Sequence, residues 1–335
     1  MGTMQSNFSL KEYNTFGIEA YTEQFIAIDS TAELIKILKE NKAVPFRILG
    51  GGSNILLTQN FSGIHIHLVN KGIEIIQETE RSVLVEVHAG ENWHEFVLWC
   101  LKHNFGGVEN LALIPGNVGA APIQNIGAYG VEIKDVFHSC NVLEVATLTE
   151  KKYPKKKCHF EYRSSIFKTT AKGKYIILSV LLELQKAPHT TNTSYGAIAS
   201  YLKDKEPTIQ NIATAVMEIR KSKLPDPKEI GNSGSFFKNP TILKSEYTTL
   251  KKRYAELPHY SVSDKIVKIP AGWLIDYLGL KGYREGDAGV HQNQALVLVN
   301  YGNAKGTELL RLSKQIQNKV KEAFGIDLET EVNIL

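Results

Sequence analysis

The chain has 335 residues, of which 43% are hydrophobic and 22% charged, and its formal net charge at pH 7 is +4. At this length, two or three domains with ordinary hydrophobic cores are expected. The mildly basic balance is too weak for a duplex-binding domain, but it suits an anionic small molecule. No apolar run approaches the roughly 20 residues that span a bilayer, and the N-terminus lacks the apolar segment of a secretory signal.

Helical and strand-like periods alternate along the chain. A capping box at Ser30–Glu33 predicts the start of one helix. Further helices are predicted over 92–104, 207–221, 269–282 and 307–324, the last with one apolar face and Gly325 as its C-cap. Strands are predicted over 83–87, 136–148, 175–184 and 295–300, with a final strand over 326–335. The basic run at 151–157 is interpreted as a solvated hairpin tip, and the prolines at 225 and 227 predict a domain boundary.

The cysteines and histidines argue against a metal centre. Cys100, Cys140 and Cys158 are odd in number, far apart and outside any CxxC pair. This usage is typical of the reducing cytoplasm, and it predicts neither a disulfide framework nor a structural zinc site. His65 and His67 would share one face of a strand, but no third ligand is near in sequence, so metal binding is not expected.

The stretch 111–132 is the least charged part of the chain, because residues 110–131 contain no Asp, Glu, Lys, Arg or His. Two prolines and four glycines within it exclude a membrane helix. Glycine allows close approach of the backbone to a ligand, and a loop of N–H groups is a natural pyrophosphate site. Its isoleucines could flank a flat ring. The alternative is a tightly packed core turn.

A second glycine-rich turn, GGGSN at 50–54, lies between two strand-like runs. It is not GxGxxG, so a Rossmann nicotinamide site is not supported. Alone, this turn is a weak signal. Together with the stretch 111–132 it provides two loops of small residues, enough to hold both phosphates of a dinucleotide.

Two polar clusters are candidates for chemistry. Arg163 stands between aromatic residues, either as a surface arginine or as a guanidinium held rigid by Tyr162 and Phe167 for an anion. Ser235 follows a glycine, but it lacks the GxSxG context and a His/Asp partner pattern, so a hydrolase nucleophile is not indicated. A serine on a glycine turn beside Lys238 could still donate a proton.

Eight motifs occur together in order: NTFG, ILGGGSNILL, IPGNVGAAPIQNIGAYG, YRSSIFK, KLPDPKEIGNSGSFFKNP, PAGWLID, HQNQALVLVN and LETEV. Each motif alone is modest evidence, whereas their joint order and spacing from residue 14 to 332 is specific. In this respect the chain resembles the UDP-N-acetylenolpyruvoylglucosamine reductase (MurB) family of bacterial peptidoglycan synthesis. The polar loop 190–201 is similar to the tyrosine loop of the longer, type I members.

The resemblance implies an α+β protein with the FAD-binding fold of the vanillyl-alcohol oxidase/PCMH type and a smaller α+β substrate-binding domain. Non-covalent FAD would lie between one subdomain of residues 1–74 and 306–335 and another of residues 75–221. A third part, residues 222–305, would close over the nucleotide sugar. The family is cytoplasmic and acts in cell wall biogenesis, and thereby in cell shape and division. NADPH reduces FAD, which then converts the enolpyruvyl substrate to UDP-N-acetylmuramate. No nucleic acid, membrane insertion, metal or obligate protein partner is expected.

The resemblance also implies three catalytic positions. Arg163 would bind the substrate carboxylate with two parallel bonds, and Ser235 would protonate the carbanion carbon. Glu331, if protonated, would donate to the enolate that develops in a dry site. Glu329 is the local competitor of Glu331, and the family motif favours Glu331.

Binding positions follow in the same way. The positive charge that Ser235 needs as an acid could come from Lys223 or Lys238. Substrate contacts are implied at Tyr195, Lys223, Asn239 and Gln294, with the loop around Tyr195 serving as a lid that excludes water. FAD contacts are implied at Gly50, Gly51, Gly52, Ser53, Asn54, Pro115, Gly116, Gly119, Ala120, Ala121, Ile123, Gln124, Gly127 and Arg220.

Two alternatives stay open. The first is an FAD-linked oxidase of the same fold, a class that often attaches FAD covalently to His or Cys. Neither residue type occurs in 50–54 or 111–132, which excludes attachment there. The second is a non-catalytic nucleotide-sugar or nucleic-acid binder, which only the pI of about 8.7 supports.

Overall fold

The structure is a computed structural model that describes residues 2–335. Its helices are α1 Thr31–Glu40, α2 Trp93–Lys102, α3 Ile133–Val136, α4 Gly196–Leu202, α5 Ile209–Lys223, α6 Lys244–Arg253, α7 Ala271–Tyr277 and α8 Gly306–Phe324. Its strands are β1 Gln5–Ser9, β2 Tyr21–Ile28, β3 Phe46–Leu49, β4 Ile55–Leu56, β5 Phe61–Leu68, β6 Ile73–Glu78, β7 Ser82–His88, β8 Gly127–Ala128, β9 Val131–Glu132, β10 Phe137–Glu144, β11 Thr149–Pro154, β12 Tyr175–Gln185, β13 Gly231–Ser235, β14 Thr241–Leu243, β15 Tyr260–Ser261, β16 Ile266–Lys268, β17 Arg284–Glu285, β18 Ala288–Val290, β19 Val297–Asn300 and β20 Asn333–Ile334.

The chain divides into two compact units. Unit 1 comprises residues 2–8, Thr22–Gly51 and Phe61–Ser222, and unit 2 comprises Ser9–Tyr21, Gly52–Asn60 and Lys223–Leu335. The finer division into three parts stays a prediction. Among residues 2–335, no helix is both long and apolar enough to cross a bilayer.

The first sheet of unit 1 has the order β1-β2-β5-β3, and β5 runs parallel to both β2 and β3. Helix α1 packs on one face through Leu34 and Leu38, which are buried as the helical spacing predicts. Ser30 caps the helix by accepting from the Glu33 N–H at 3.4 Å. The Glu33 carboxylate accepts from the Gly2 N–H, so the reciprocal bond of the predicted capping box is replaced by a longer-range one.

The second sheet of unit 1 is antiparallel, in the order β11-β10-β12-β7-β6. Val83, Val85 and Val87 alternate into the core, as predicted for a strand with one buried face. The prediction for the basic run 151–157 is wrong, because it lies on edge strand β11 and the 3-10 turn Lys155–Lys157 rather than at the hairpin tip. Lysines on an edge strand discourage pairing with other chains.

The main sheet of unit 2 is antiparallel, in the order β13-β19-β18-β17. Helix α8 packs against β18 and β19 with its predicted apolar face. Gly325 ends α8 with a left-handed φ of 71°, as its place after the periodic stretch predicts. Of the predicted final strand 326–335, only Asn333–Ile334 is a strand. The chain changes partner along this segment: Thr330 forms a β-bridge with Phe237, and Asn333–Ile334 pairs with β4.

Candidate functional site

Two glycine-containing loops of unit 1 touch backbone to backbone. A Cβ added to Gly51 would lie 2.8 Å from the Cα of Gly116, and one added to Gly119 would lie 2.5 Å from the Cβ of Ala89. Gly116 has a φ of 109°, which side chains rarely tolerate. The two loops therefore need small residues, and they present a backbone surface that few side chains obstruct.

The loop 111–116 is attached to the first turn of α2. The Nε1–H of Trp93 donates to the Leu111 carbonyl at 3.0 Å, and its backbone N–H donates to the Gly116 carbonyl at 2.9 Å. The Nδ1 of His94 accepts from the Leu113 N–H at 3.0 Å. The sequence did not predict these contacts, because a Trp at the start of an amphipathic helix is expected simply in the core.

An arginine with a buried side-chain nitrogen lies in the same unit. The Nε of Arg220 finds no hydrogen-bond partner within residues 2–335. Burial lowers the pKa of Arg220, while Tyr129 opposes this shift and Arg163 adds to it. A buried donor without a partner, together with a side-chain-poor backbone cradle, fits an anionic, carbonyl-bearing cofactor such as FAD.

Arg163 is held at the tip of a short turn. Glu161 and Ser164 exchange backbone hydrogen bonds, and Arg163 between them has a φ of 53°. Its Nη2 donates to the carbonyl of Gly127, and a Cβ on Gly127 would lie 2.9 Å from Nη1. Its guanidinium carbon lies 5.2 Å from the centroid of the Tyr162 ring. Gly127 thus provides space for the guanidinium.

Of the two aromatic residues predicted to steady Arg163, only one is seen beside it. The ring of Phe167 instead packs in the core, 5.8 Å from that of Tyr153 and 6.5 Å from that of Tyr175. Phe167 points inward because it belongs to the apolar side of the segment, and Tyr162 to the half-buried side.

Side chains join the Arg163 turn to the long uncharged loop. The hydroxyl of Ser165 donates to the Ile123 carbonyl at 2.7 Å. The buried Asn125, with a φ of 48°, donates to the Glu161 carbonyl at 2.9 Å. The sequence did not single out Asn125, although an amide side chain in an apolar run is the signal that could have found it.

A latch holds the segment before α4. The buried Asn110 donates to the carbonyls of Tyr129, at 3.1 Å, and Asn192, at 2.9 Å. Asn192 donates in turn to the Gly130 carbonyl at 3.1 Å. The ring of Tyr195, which is 40% exposed, meets the ring of Tyr129 edge-on at 5.0 Å. The predicted lid residue therefore rests on the uncharged loop.

Unit 2 positions Ser235 at the end of β13. The strand pairs with β19, Ser235 lies opposite Val297, and the register shifts between Asn232 and Ser235. Gly234 has a φ of 66°, and its N–H donates to the Asn232 side chain at 2.9 Å. This bulge re-aims the residue that follows it, which is a common device next to active sites.

Glu331 is held beside the Ser235 segment. Its N–H donates to the carbonyl of Phe236 at 2.8 Å, immediately after Ser235. The side chain of Asn54 donates to the Glu331 carbonyl at 3.3 Å. Backbone pairing thus places Ser235, Glu331 and the end of the GGGSN turn close together, although they are distant in sequence.

The neighbouring Glu329 has a different role. Its carboxylate pairs with the ammonium of Lys238 at 2.8 Å, and its side chain is 74% exposed. Glu329 therefore faces solvent and already has a charged partner. The same pair offsets the charge of Lys238 that could have acidified Ser235.

The remaining predicted substrate positions all belong to unit 2. Lys223 ends α5 and is exposed. The side-chain oxygen of Asn239 accepts from the Ala271 N–H at 2.9 Å. The Oε1 of Gln294 would lie 3.5 Å from a Cβ on Gly272. Asn239 and Gln294 are therefore both at the start of α7.

The other FAD positions divide between the units. Gly52, Ser53 and Asn54 belong to unit 2, and a Cβ on Gly52 would lie 2.0 Å from the Tyr13 carbonyl oxygen. In unit 1, the uncharged stretch 111–132 that contains Gly116 also contains Pro115, Ala120, Ala121 and Gln124. Within residues 2–335, no group of three or more His, Cys, Asp or Glu could hold a metal ion.

Comparisons with known proteins agree with this architecture. Residues 22–150 match the FAD binding domain family, and residues 226–335 match the UDP-N-acetylenolpyruvoylglucosamine reductase C-terminal domain family. The UDP-N-acetylenolpyruvoylglucosamine reductase of Flavobacterium johnsoniae is 57% identical over 335 residues, covering 99% of both chains. That of Amoebophilus asiaticus is 47% identical over 337 residues, also covering 99% of both.

A solved structure shows the same fold. The crystal structure of MurB from Thermus caldophilus aligns with a TM-score of 0.70 at 22% identity, covering 100% of this chain and 98% of that one. Together with the family matches, it confirms the predicted FAD-binding fold joined to a smaller α+β domain.

Proposed function

Because the chain belongs to the UDP-N-acetylenolpyruvoylglucosamine reductase family, we propose that it uses FAD to reduce UDP-N-acetylenolpyruvoylglucosamine to UDP-N-acetylmuramate in peptidoglycan synthesis. The observation that carries this proposal is the 57% identity over 99% of both chains. We propose NADPH as the reductant. Bound FAD supplies the hydride that reaches the enolpyruvyl double bond.

Arg163 binds the carboxylate of the enolpyruvyl group. Negative charge develops on that carboxylate and on the adjacent carbon as the double bond is reduced. A fixed cation stabilises this charge without having to reorganise. The left-handed turn, the Gly127 carbonyl and the Tyr162 ring support this role, because together they restrict the guanidinium to one place.

Ser235 gives its hydroxyl proton to the carbanion carbon. General acids of this kind contribute about 10²–10⁴-fold to rate. The bulge at Gly234 and the pairing with Val297 support this role, because they fix the direction of a short side chain. Since Lys238 is paired with Glu329, Lys223 is the better candidate for the charge that acidifies Ser235.

Glu331, in its protonated form, donates a hydrogen bond to the enolate oxygen. Its backbone bond to Phe236 keeps it beside Ser235. Tyr195, Lys223, Asn239 and Gln294 contact the nucleotide sugar, and the segment around Tyr195 covers the bound substrate and excludes water. FAD is held by the two glycine loops and by Arg220.

We also propose the cytoplasm as the compartment. The three cysteines are free and buried, which agrees with a reducing environment. The two proposed substrates, a nucleotide sugar and NADPH, are both cytoplasmic metabolites.

Turnover of the whole protein tests the function. With NADPH and the enolpyruvyl substrate, the protein should oxidise NADPH and form UDP-N-acetylmuramate, heavier than the substrate by two hydrogens. Mass spectrometry identifies the product. Failure of the fully FAD-loaded protein to form any reduced product would contradict the proposal.

The same preparation distinguishes the alternatives. An oxidase would reoxidise its flavin rapidly with dioxygen alone, and covalent flavin would stay on the denatured chain. A nucleotide-sugar binder would take up no flavin and remain colourless. We expect all the flavin to be released on denaturation, and reoxidation to be fast only when the enolpyruvyl substrate is present.

A further inference from the structure

The loop 111–116 contains a residue in an unfavourable backbone conformation. Leu113 has a φ of 60°, in the left-handed region that residues other than glycine rarely adopt. Two consecutive side chains of α2 bracket it. Trp93 donates to the Leu111 carbonyl, and His94 accepts from the Leu113 N–H at 3.0 Å. The conformation of Leu113 is therefore maintained by groups outside the loop.

The bond from Leu113 fixes the protonation state of His94. Its Nδ1 can accept an N–H only while that nitrogen carries no proton, so the ring proton sits on Nε2. Protonation of Nδ1 would set two N–H groups against each other. The bond from the Leu113 N–H to His94 would then be replaced by repulsion.

Nearby charges act on His94 from two helices. Burial lowers the pKa of His94; Glu95 on α2 opposes this shift, and Arg220 and Lys221 on α5 reinforce it. These groups keep the ring neutral around neutral pH. The acceptor role of Nδ1 is therefore maintained until the solution is more acidic than the ordinary histidine pKa of about 6.5.

We propose that His94 is a positioning residue for FAD: as a neutral acceptor it holds Leu113, and with it the loop 111–116, in the shape that receives the cofactor, and its protonation releases that loop. This inference rests on the proposed function, in which this loop carries FAD. A loop held in its bound shape binds more tightly because less ordering remains to be done on binding.

The direction of the pH effect follows from the bond. Above about pH 6.5 the His94 ring is neutral in both the FAD-free and the FAD-bound protein, so FAD affinity should not depend on pH there. Below that pH, protonation breaks the bond to Leu113 and affinity should fall. Bound FAD should in turn make His94 harder to protonate.

Two variants separate the acceptor from the titration. His94→Asn places an amide oxygen near the position of Nδ1 and cannot titrate, whereas His94→Leu removes the acceptor. His103→Asn is the matched control, because His103 lies at the other end of α2 and contacts the Trp99 carbonyl. Release of FAD on dilution of the holoenzyme, followed by free-flavin fluorescence from pH 5 to 8, gives the dissociation constant.

At neutral pH we expect His94→Leu to bind FAD about tenfold more weakly than the wild type, from the loss of one partly buried hydrogen bond. Acidification should weaken the wild type and His103→Asn by a similar factor, and His94→Asn by much less. Equal affinity of His94→Leu and the wild type would overturn the inference, as would identical pH profiles of the wild type and His94→Asn.

Melting curves show whether each variant folds. If His94→Leu does not fold, the pH profiles of the wild type and His94→Asn decide. A wild type that binds no FAD at any pH would overturn the proposed function and this inference with it.

Discussion

The uncharged loop of unit 1 and the Ser235–Glu331 region of unit 2 are built in opposite ways. The loop is one continuous stretch that side chains from other segments hold: Trp93 and His94 at its start and Ser165 further along. The unit 2 region joins two distant segments by backbone pairing, with Phe236 bonded to Glu331.

The difference explains how far each region can be recognised from the sequence. A continuous loop of small residues is visible in composition, because nothing charged interrupts it. A site assembled by backbone pairing has no local signature, because the pairing partner is remote. The first region should therefore be sensitive to backbone crowding, and the second to loss of individual functional groups.

The largest effect should come from the unit 2 carboxylates. Glu331→Gln should slow reduction of the enolpyruvyl substrate by about 10²–10³-fold, because an amide is a weaker hydrogen-bond donor to the developing enolate than a protonated carboxyl group. Glu329→Gln is the matched control and should stay within a few-fold, because Glu329 only pairs with Lys238 at the surface. Steady-state rates with saturating NADPH measure both. Reversed effects would assign the acid to Glu329.

Crowding of the glycine loops should give the next largest effect. Gly51→Ala should lower the free energy of unfolding of the flavin-free protein by about 1–3 kcal/mol, because its Cβ would meet the Gly116 backbone. Gly50→Ala is the matched control, since its Cβ would find only ordinary contacts at 3.8 and 4.0 Å. Urea unfolding measures the difference. Equal stabilities would show that the two loops do not touch.

The Asn110 latch should affect substrate binding more than chemistry. Asn110→Ala removes the bonds to Tyr129 and Asn192, which frees the segment that carries Tyr195. We expect KM for the enolpyruvyl substrate to rise about tenfold, on the scale of one or two lost hydrogen bonds, while reduction by NADPH keeps its rate. An unchanged KM would mean that the segment is positioned without Asn110.

The smallest effect should come from the Lys238–Glu329 pair. Exposed pairs contribute about 0–1 kcal/mol, so Lys238→Met should change stability little and turnover by less than about threefold. Turnover as a function of pH is the measurement. A loss of turnover by tenfold or more would show that Lys238, despite its partner, supplies the charge that Ser235 needs.

Periodicity predicted the regular elements of the fold well and the irregular ones poorly. Helix α8 and its Gly325 cap followed from apolar spacing and one glycine. The basic run was misplaced because polarity marks solvent exposure, and an edge strand is as exposed as a hairpin tip. The final strand was overextended because its partner changes along its length, which no local pattern records.

The candidate site was predicted in part. Composition found the uncharged loop, and the family motifs supplied Arg163 and Glu331. Asn110 and His94 escaped notice because a buried amide and a helical histidine look ordinary in sequence. Their importance comes from the backbone groups they reach, which become visible only once the chain is folded.

Stopped-flow measurement of the two half-reactions in Ser235→Ala tests the proposed chemistry most directly. If Ser235 is the proton donor, NADPH should reduce the flavin at nearly the wild-type rate. Reoxidation by the enolpyruvyl substrate should then be slower by about a hundredfold or more. Equal slowing of both half-reactions would make Ser235 a structural residue and contradict the assignment.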